Sequence, residues 1–125
     1  MTELEIKTTE LNKLIIKGDT INALELLYSD DIIMQENEDE PRIGKQFCIE
    51  NEKSNLQRVK ELNCRLLNQA IDNNKNVVLS EWELIVLYND NKKIKLTEVS
   101  VQHWNKGYIV NEKFYYKDFY TINNI

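Results

Sequence analysis

The sequence predicts an α+β fold, with helices in the first half of the chain and a long antiparallel sheet in the second. Apolar residues recur at helical spacing up to about residue 60, whereas β-branched and aromatic runs dominate the rest. Short Asn-rich breaks separate those runs, and short connections join antiparallel neighbours, so a meander is expected. At 125 residues, a single domain spanning residues 1–125 is expected.

Two helices are expected at the N-terminus. The apolar side chains of the first fall on one helical face, and Gly18 then ends it. The second helix carries apolar side chains at positions i, i+3, i+6 and i+7. These apolar positions are Leu4, Leu11, Leu14 and Ile15 in the first helix and Ile21, Leu24, Leu27 and Tyr28 in the second.

A short strand, a loop and a third helix are expected next. The apolar run Ile32–Met34 predicts the strand. The segment Glu36–Arg42 is polar and acidic and carries the only proline, which predicts a solvated loop at the mouth of any pocket. A weakly amphipathic helix is expected from Lys45 to about Lys60, and its inward side chains would be Phe47, Leu56 and Val59.

Four strands are expected in the second half, and both faces of their sheet carry apolar side chains. Such a sheet is covered by helices on one side and by another subunit on the other. We therefore expect a homodimer through the outer face. Its apolar residues would be Ile85, Leu87, Val99 and Val101, with Glu81, Glu83, Lys113 and His103 as polar neighbours. The expected strands are Leu62–Ile71, Val77–Tyr88, Ile94–Trp104 and Tyr108–Lys117.

The composition excludes several classes of partner. The net charge of −5 argues against nucleic acid and anionic membranes, because both select clustered Lys and Arg.

The sequence also bears on the location of the protein. No secretory signal and no apolar window long enough to span a bilayer are visible. The two cysteines, Cys48 and Cys64, are too few for a disulfide scaffold, so reduced thiols and a cytoplasmic location are expected.

Three local patterns cover most of the chain in a fixed order. The first is Gly18-Asp19, a short helix and then Leu26-Leu27-Tyr28-Ser29-Asp30-Asp31-Ile32. The second is Glu40-Pro41-Arg42-Ile43-Gly44, which opens a helix. The third is Trp104-Asn105-Lys106-Gly107-Tyr108-Ile109-Val110, followed by Glu112-Lys113-Phe114-Tyr115-Tyr116. With this layout the chain resembles the nuclear transport factor 2-like superfamily and, within it, the SnoaL-like (polyketide cyclase-like) proteins.

The resemblance implies a cone-shaped fold, in which a curved antiparallel sheet wraps around the N-terminal helices and leaves a pocket at the open end. Many such proteins are dimers that pack sheet against sheet. Ketosteroid isomerase is similar in fold and uses an Asp base with a Tyr and a protonated Asp. Its three positions match Gln35, Leu11 and Ser100 here, which argues against steroid isomerisation by that machinery. The lone His103 is expected on the opposite face from the pocket.

Glu112 is the strongest candidate for a catalytic residue, because it shares a strand face with aromatic side chains. A desolvated carboxylate has a raised pKa, which suits a general acid or base near neutral pH. The alternative is a structural carboxylate bonded to a backbone amide or a Tyr hydroxyl. Glu98 is either a second pocket carboxylate or a residue of the sheet rim. The expected ligand pocket consists of Trp82, Glu98, Gln102, Trp104, Phe114 and Tyr116.

No cofactor and no metal are expected. One His and two distant Cys cannot form a tetrahedral zinc set, and no glycine loop for phosphate is present. The function expected is therefore the binding of a small, mostly apolar molecule in the cone pocket, with isomerase, cyclase or hydrolase chemistry left open. The alternative is a non-catalytic, dimeric protein-interaction module.

Overall fold

The computed structural model describes residues 1–117 and 120–121, and its helices precede most of its strands. Three helices and seven short or long strands follow one another along the chain. They are α1 (Glu3–Ile16), α2 (Thr20–Leu27), β1 (Tyr28–Glu36), β2 (Arg42–Ile43), α3 (Lys45–Leu56), β3 (Val59–Asp72), β4 (Val77–Tyr88), β5 (Lys93–Asn105), β6 (Tyr108–Tyr115) and β7 (Tyr120–Thr121).

The strands form one mixed sheet in the order β2-β1-β6-β5-β4-β3, with β7 paired to β5. Strands β3 to β6 are joined as an antiparallel meander, which confirms the prediction for the second half of the chain. The pairing of β1 is different, because β1 runs parallel to β6. The long excursion from β1 through the helix and the meander allows this parallel pairing, which a hairpin cannot make.

The first helix ends where its sequence predicts, just before Gly18, and it begins after a capping threonine. The hydroxyl of Thr2 accepts a hydrogen bond from the backbone N–H of Glu5 at 3.1 Å and so caps the helix. Gly18 has a positive φ of 83°, and its N–H donates to the carbonyl of Ile15. This left-handed glycine stops α1 and turns the chain into α2.

Several element boundaries differ from the sequence prediction, and those around the second and third helices differ in which element a residue belongs to. The second helix ends at Leu27, and Tyr28 already belongs to β1. The third helix ends at Leu56, and Val59 begins β3. Helix α3 buries its Cys48 side and leaves Phe47 53% exposed, so the predicted inward position of Phe47 was wrong. The apolar pattern of α3 is too weak to fix which side faces the core.

A shift of register between β5 and β6 changes which residues of β6 point inward. The pairing changes between His103 and Trp104, so that Trp104 lies opposite Ile109. Ile109 is consequently fully buried, whereas Val110 is only partly buried. Unbroken alternation from Glu112 would place Val110 inside, and this irregularity places Ile109 there instead.

The core lies between the helices and the inner face of the sheet. It contains Leu11, Leu27, Ile32, Val78 and Ile109, which are almost completely inaccessible to solvent. Ile15 packs against this core and is partly buried. None of the helices within residues 1–117 is long and apolar enough to cross a bilayer.

The outer face of the sheet carries apolar side chains that no helix covers. Leu79 and Val99 are 43% and 37% exposed, and Ile85, Leu87 and Val101 are half-buried. Glu83 lies among them and pairs with Arg65 and Lys95 at 3.3 and 3.2 Å. An apolar patch with paired charges at its side is typical of a surface that is covered by a second molecule.

We predict that the chain is a homodimer through this face. Val99→Glu should weaken the dimer by at least about ten-fold, because it places a second carboxylate opposite Glu81 on the face that the dimer would bury. Sedimentation velocity at micromolar concentration measures the effect. Leu26 is 61% exposed on α2, so Leu26→Glu is the matched control and should leave the dimer intact. A wild-type protein that sediments only as a monomer would contradict the prediction.

Candidate functional site

A cavity of about 300 Å³ lies between the helices and the inner face of the sheet. Most of its wall is apolar, and a few polar groups converge on it, as in small-molecule sites. The apolar wall includes Ile15, Leu24, Met34, Leu62, Trp82, Leu84, Leu96 and Phe114, and the polar groups include Tyr28, Glu36, Arg42, Glu52, Glu98, Ser100 and Glu112.

The carboxyl group of Glu112 is buried and receives three hydrogen bonds. The Tyr28 hydroxyl donates to Oε1 at 2.5 Å. The Ser100 hydroxyl and the Gln102 amide donate to Oε2 at 2.8 and 2.7 Å. A carboxylate has about four acceptor positions, so one position on Oε1 is left for another donor. The indole N–H of Trp104 in turn donates to Oε1 of Gln102 at 3.1 Å.

Two opposing effects act on the pKa of Glu112. Burial raises its pKa, and the hydrogen bonds from Tyr28, Gln102 and Ser100 oppose that rise. The net direction is upward. The pKa of the Tyr28 hydroxyl is also raised well above its ordinary value, chiefly by burial and then by the adjacent Glu112. Tyr28 therefore stays protonated and remains able to donate.

Glu98 lies on the same face of β5 as Ser100 and also lines the cavity. No group in residues 1–117 or 120–121 donates a hydrogen bond to its carboxyl oxygens. Burial raises its pKa to about 8, and the negative charges of Glu112 and Glu36 add to the effect. At neutral pH Glu98 is therefore mostly a neutral carboxylic acid with a proton to donate.

Two further polar pairs lie on the cavity wall. Arg42 contacts Glu36 in an ion pair at 2.6 Å. The Thr20 hydroxyl donates a hydrogen bond to the carboxylate oxygen Oε2 of Glu52 at 2.5 Å. Arg42 is the arginine of the described cavity wall, and it is already paired with Glu36. The cavity wall therefore has an excess of acidic side chains. Glu36 and Arg42 end β1 and begin β2, so the predicted solvated loop is shorter than Glu36–Arg42.

No family model matches the chain, and no curated protein sequence matches it. Solved structures do match. An NTF2-like protein of unknown function from Burkholderia pseudomallei superposes with a TM-score of 0.80 at 10% identity, over 94% of this chain and 92% of its own. This chain has the nuclear transport factor 2-like fold of the SnoaL-like proteins.

Two other structures with this fold carry functional descriptions. The epoxide hydrolase/cyclase-like enzyme SalBIII, described for pyran ring formation in the polyether salinomycin, has a TM-score of 0.79 at 14% identity, over 95% of both chains. A candidate SnoaL-like polyketide cyclase from Mesorhizobium loti has a TM-score of 0.70 at 20% identity, over 93% of this chain and 100% of its own. The TM-scores establish the shared fold. Because the sequence identities are all low, the similarities extend no further than the fold.

The structure places the residues singled out from sequence in three groups. Trp82, Glu98, Glu112 and Phe114 lie on the cavity wall. Gln102 and Trp104 are buried behind Glu112 and do not line the cavity. Tyr116 follows β6 and is not part of the cavity wall, and its backbone N–H donates to the side chain of Asn37. His103 is exposed on the outer face, as expected.

Sequence reasoning missed Tyr28 and Arg42 as cavity residues. The apolar spacing predicts Tyr28 as the last residue of a helix, and Ser29-Asp30-Asp31 marks the end of that helix. Its contact with Glu112 depends on the parallel pairing of β1 with β6, and no local pattern reports that pairing. Among the described residues, no group of three His, Cys, Asp or Glu side chains is placed to hold a metal ion.

We predict that the raised pKa of Glu98 makes the protein less stable as the pH rises. The folded state keeps a proton on Glu98 that the unfolded state loses, so the contribution of Glu98 to stability falls from about pH 4.5 to about pH 8 and does not change further above that window. Glu98→Gln removes this dependence and should stabilise the protein at pH 8.5 by about 2 kcal/mol, because the conversion of about 1.4 kcal/mol per pKa unit is reduced by partial exposure.

Urea denaturation of both proteins between pH 5 and pH 9 measures the difference. The control is Glu61→Gln, since Glu61 lies exposed at the start of the same sheet's edge strand. It should keep the pH dependence of the wild-type protein. Equal slopes for the wild-type and Glu98→Gln proteins would show that Glu98 titrates normally.

Proposed function

We propose that this protein binds a small, mostly apolar molecule with an oxygen function in its cavity and acts on it by acid–base chemistry. Glu98 is the acid in this proposal, and Glu112 is the base. The observation that carries it is the different environment of two neighbouring carboxyl groups in one cavity: Glu112 receives three hydrogen bonds and Glu98 receives none. Neighbouring titratable groups with different environments are typical of acid–base pairs.

The proton belongs on Glu98 for an electrostatic reason. Two nearby buried carboxylates do not ionise together, because each negative charge raises the pKa of the other. Hydrogen-bond donors stabilise the charged form, and all three donors are directed at Glu112. In this proposal the three donors place the negative charge of the pair on Glu112, and the shared proton stays on Glu98.

Opening of a small ring ether illustrates the reaction that this pair supports. A water molecule, or a hydroxyl of the same ligand, gives its proton to the free acceptor position of Glu112, and its oxygen bonds to a ring carbon. The carbon–oxygen bond of the ring breaks, and the departing oxygen takes the proton from Glu98. Return of the proton from Glu112 to Glu98 restores the starting state. Attack by water is a hydrolase reaction, and attack by the ligand's own hydroxyl is a cyclase reaction.

The ligand class follows from the cavity wall. The volume of about 300 Å³ is at the small end of the range for ligand sites. Trp82, Phe114 and the surrounding leucines offer contact to an apolar body, and the acidic excess disfavours a negatively charged ligand. The description of SalBIII as epoxide hydrolase/cyclase-like is consistent with this choice. We also infer a cytoplasmic location, which suits the two free thiols of Cys48 and Cys64.

We predict that the wild-type protein hydrolyses small apolar epoxides and that Glu98→Gln lowers kcat by about 100-fold or more, since it removes the proton donor. Cyclohexene oxide and styrene oxide are suitable probes, with the diol product measured by gas chromatography. The activity of the wild-type protein should fall above about pH 8, where Glu98 loses its proton.

The Glu61→Gln variant is the control and should keep the wild-type rate. A Glu98→Gln variant as active as the wild-type protein would contradict the assignment of the acid. No diol above the buffer rate from the wild-type protein would overturn the ring-opening reaction itself. That result would favour the alternative of a non-catalytic interaction module that uses the exposed apolar face around Val99.

A further inference from the structure

Among the three described side chains that donate to Glu112, only the amide of Gln102 carries its donor and its acceptor on different atoms. The hydroxyls of Tyr28 and Ser100 can rotate, and each can either donate to Glu112 or accept from it. An amide has a donor end and an acceptor end, so a half-turn of the Gln102 side chain would exchange them. With the donor end toward Glu112, the negative charge is stabilised, and with the acceptor end toward it, the neutral acid is stabilised.

The orientation of this amide is set by Trp104. The indole N–H of Trp104 can donate but cannot accept, and it lies 3.1 Å from Oε1 of Gln102. The reversed amide would point its own hydrogens at the indole hydrogen and leave both donors without an acceptor. Gln102 and Trp104 are 2% and 5% exposed, so a donor left without an acceptor on either side chain would be costly.

We propose that Trp104 is a positioning residue, which acts through Gln102 to keep the negative charge on Glu112. This role rests on the proposed function, in which Glu112 is the base, but it concerns a residue outside the cavity wall. Trp104 contacts no part of the cavity, and its packing alone would be served by any large aromatic side chain. Its N–H is the feature that the role requires.

The other titratable groups around Glu112 do not supply this stabilisation. Tyr28 and Glu36 belong to β1, Cys48 belongs to α3, and Glu98 belongs to β5. All four are acids, and their negative forms oppose the charge on Glu112. Arg42, the cation on the cavity wall, is paired with Glu36. The charge on Glu112 therefore depends on hydrogen-bond donors, and only the donor from Gln102 is fixed in direction.

The test is the Trp104→Phe variant of the full chain. It keeps a large ring but removes the N–H, so the reversed amide becomes available and the neutral form of Glu112 gains an acceptor. The pKa of Glu112 should rise by about one unit or more, a ten-fold change in its proton affinity. Carbon-13 NMR of protein labelled at the Glu carboxyl carbons measures this titration, and Glu112→Gln identifies the resonance.

The matched control is Val78→Ala. Val78 is buried in the same core and lies opposite Gln102 in the sheet, so its truncation loosens the packing without changing a hydrogen bond. This variant should lower the melting temperature and leave the pKa of Glu112 unchanged. An unchanged pKa in Trp104→Phe, or an equal shift in both variants, would overturn the proposal.

A measurement on the wild-type protein covers the case in which Trp104→Phe does not fold. The indole N–H of Trp104 should exchange slowly with solvent, and the side-chain amide nitrogen of Gln102 should change its chemical shift as Glu112 titrates. The proposal would be overturned by rapid exchange of the indole N–H, or by a Gln102 amide nitrogen whose chemical shift stays constant while Glu112 titrates. None of these readouts needs a substrate, so a failure of the proposed reaction and a failure of the Trp104 role are separately visible.

Discussion

The buried carboxyl group of Glu112 constrains the rest of the structure more than any other single group. Its partners come from β1 through Tyr28 and from β5 through Ser100 and Gln102, and it lies itself on β6. A buried charge without partners costs several kcal/mol, so these three strands must keep the register that delivers the donors. Glu112 therefore connects the parallel β1–β6 pair to the antiparallel meander, on the strand where the sheet passes from parallel to antiparallel pairing.

The same arrangement determines the properties of Glu98. Tyr28, Ser100 and Gln102 all donate to Glu112, and Glu98 lies in the same cavity with its pKa raised to about 8, chiefly by burial. A carboxyl group in such a position lowers the stability of the fold, and a sheet that needed only stability would place a leucine there, as at Leu84 and Leu96 beside it. Local violations of the rules of packing are expected at functional sites rather than elsewhere.

Alternation along the strands was sufficient to predict which side chains share the inner face of β5 and β6. The period of two placed Glu98, Ser100, Gln102 and Trp104 on one face of β5, and all four point to the inner side. It also placed Glu112 and Phe114 together. The four C-terminal strands and the two N-terminal helices were predicted for the same reason, since their hydrophobic periods are regular.

The remaining features depend on contacts that are distant in sequence. Tyr28 meets Glu112 across 84 positions, through a parallel pairing that no local pattern encodes. Alternation also does not predict which side chains of the inner face line the cavity. It gives Gln102 and Glu98 the same face, although Gln102 lies behind Glu112 and Glu98 lines the cavity. The irregularity before Trp104 shifted the alternation of β6 by one residue and brought Ile109 inside.

The central claim is that the cavity holds one carboxylic acid at neutral pH and that this acid is Glu98. Infrared spectroscopy of the full chain in D₂O tests it directly, because a protonated carboxyl group has a carbonyl band that a carboxylate lacks. We predict such a band at pH 7, its loss by about pH 9.5, and its absence from Glu98→Gln at both values. A wild-type spectrum without the band at pH 7, or a band that persists in Glu98→Gln, would contradict the account.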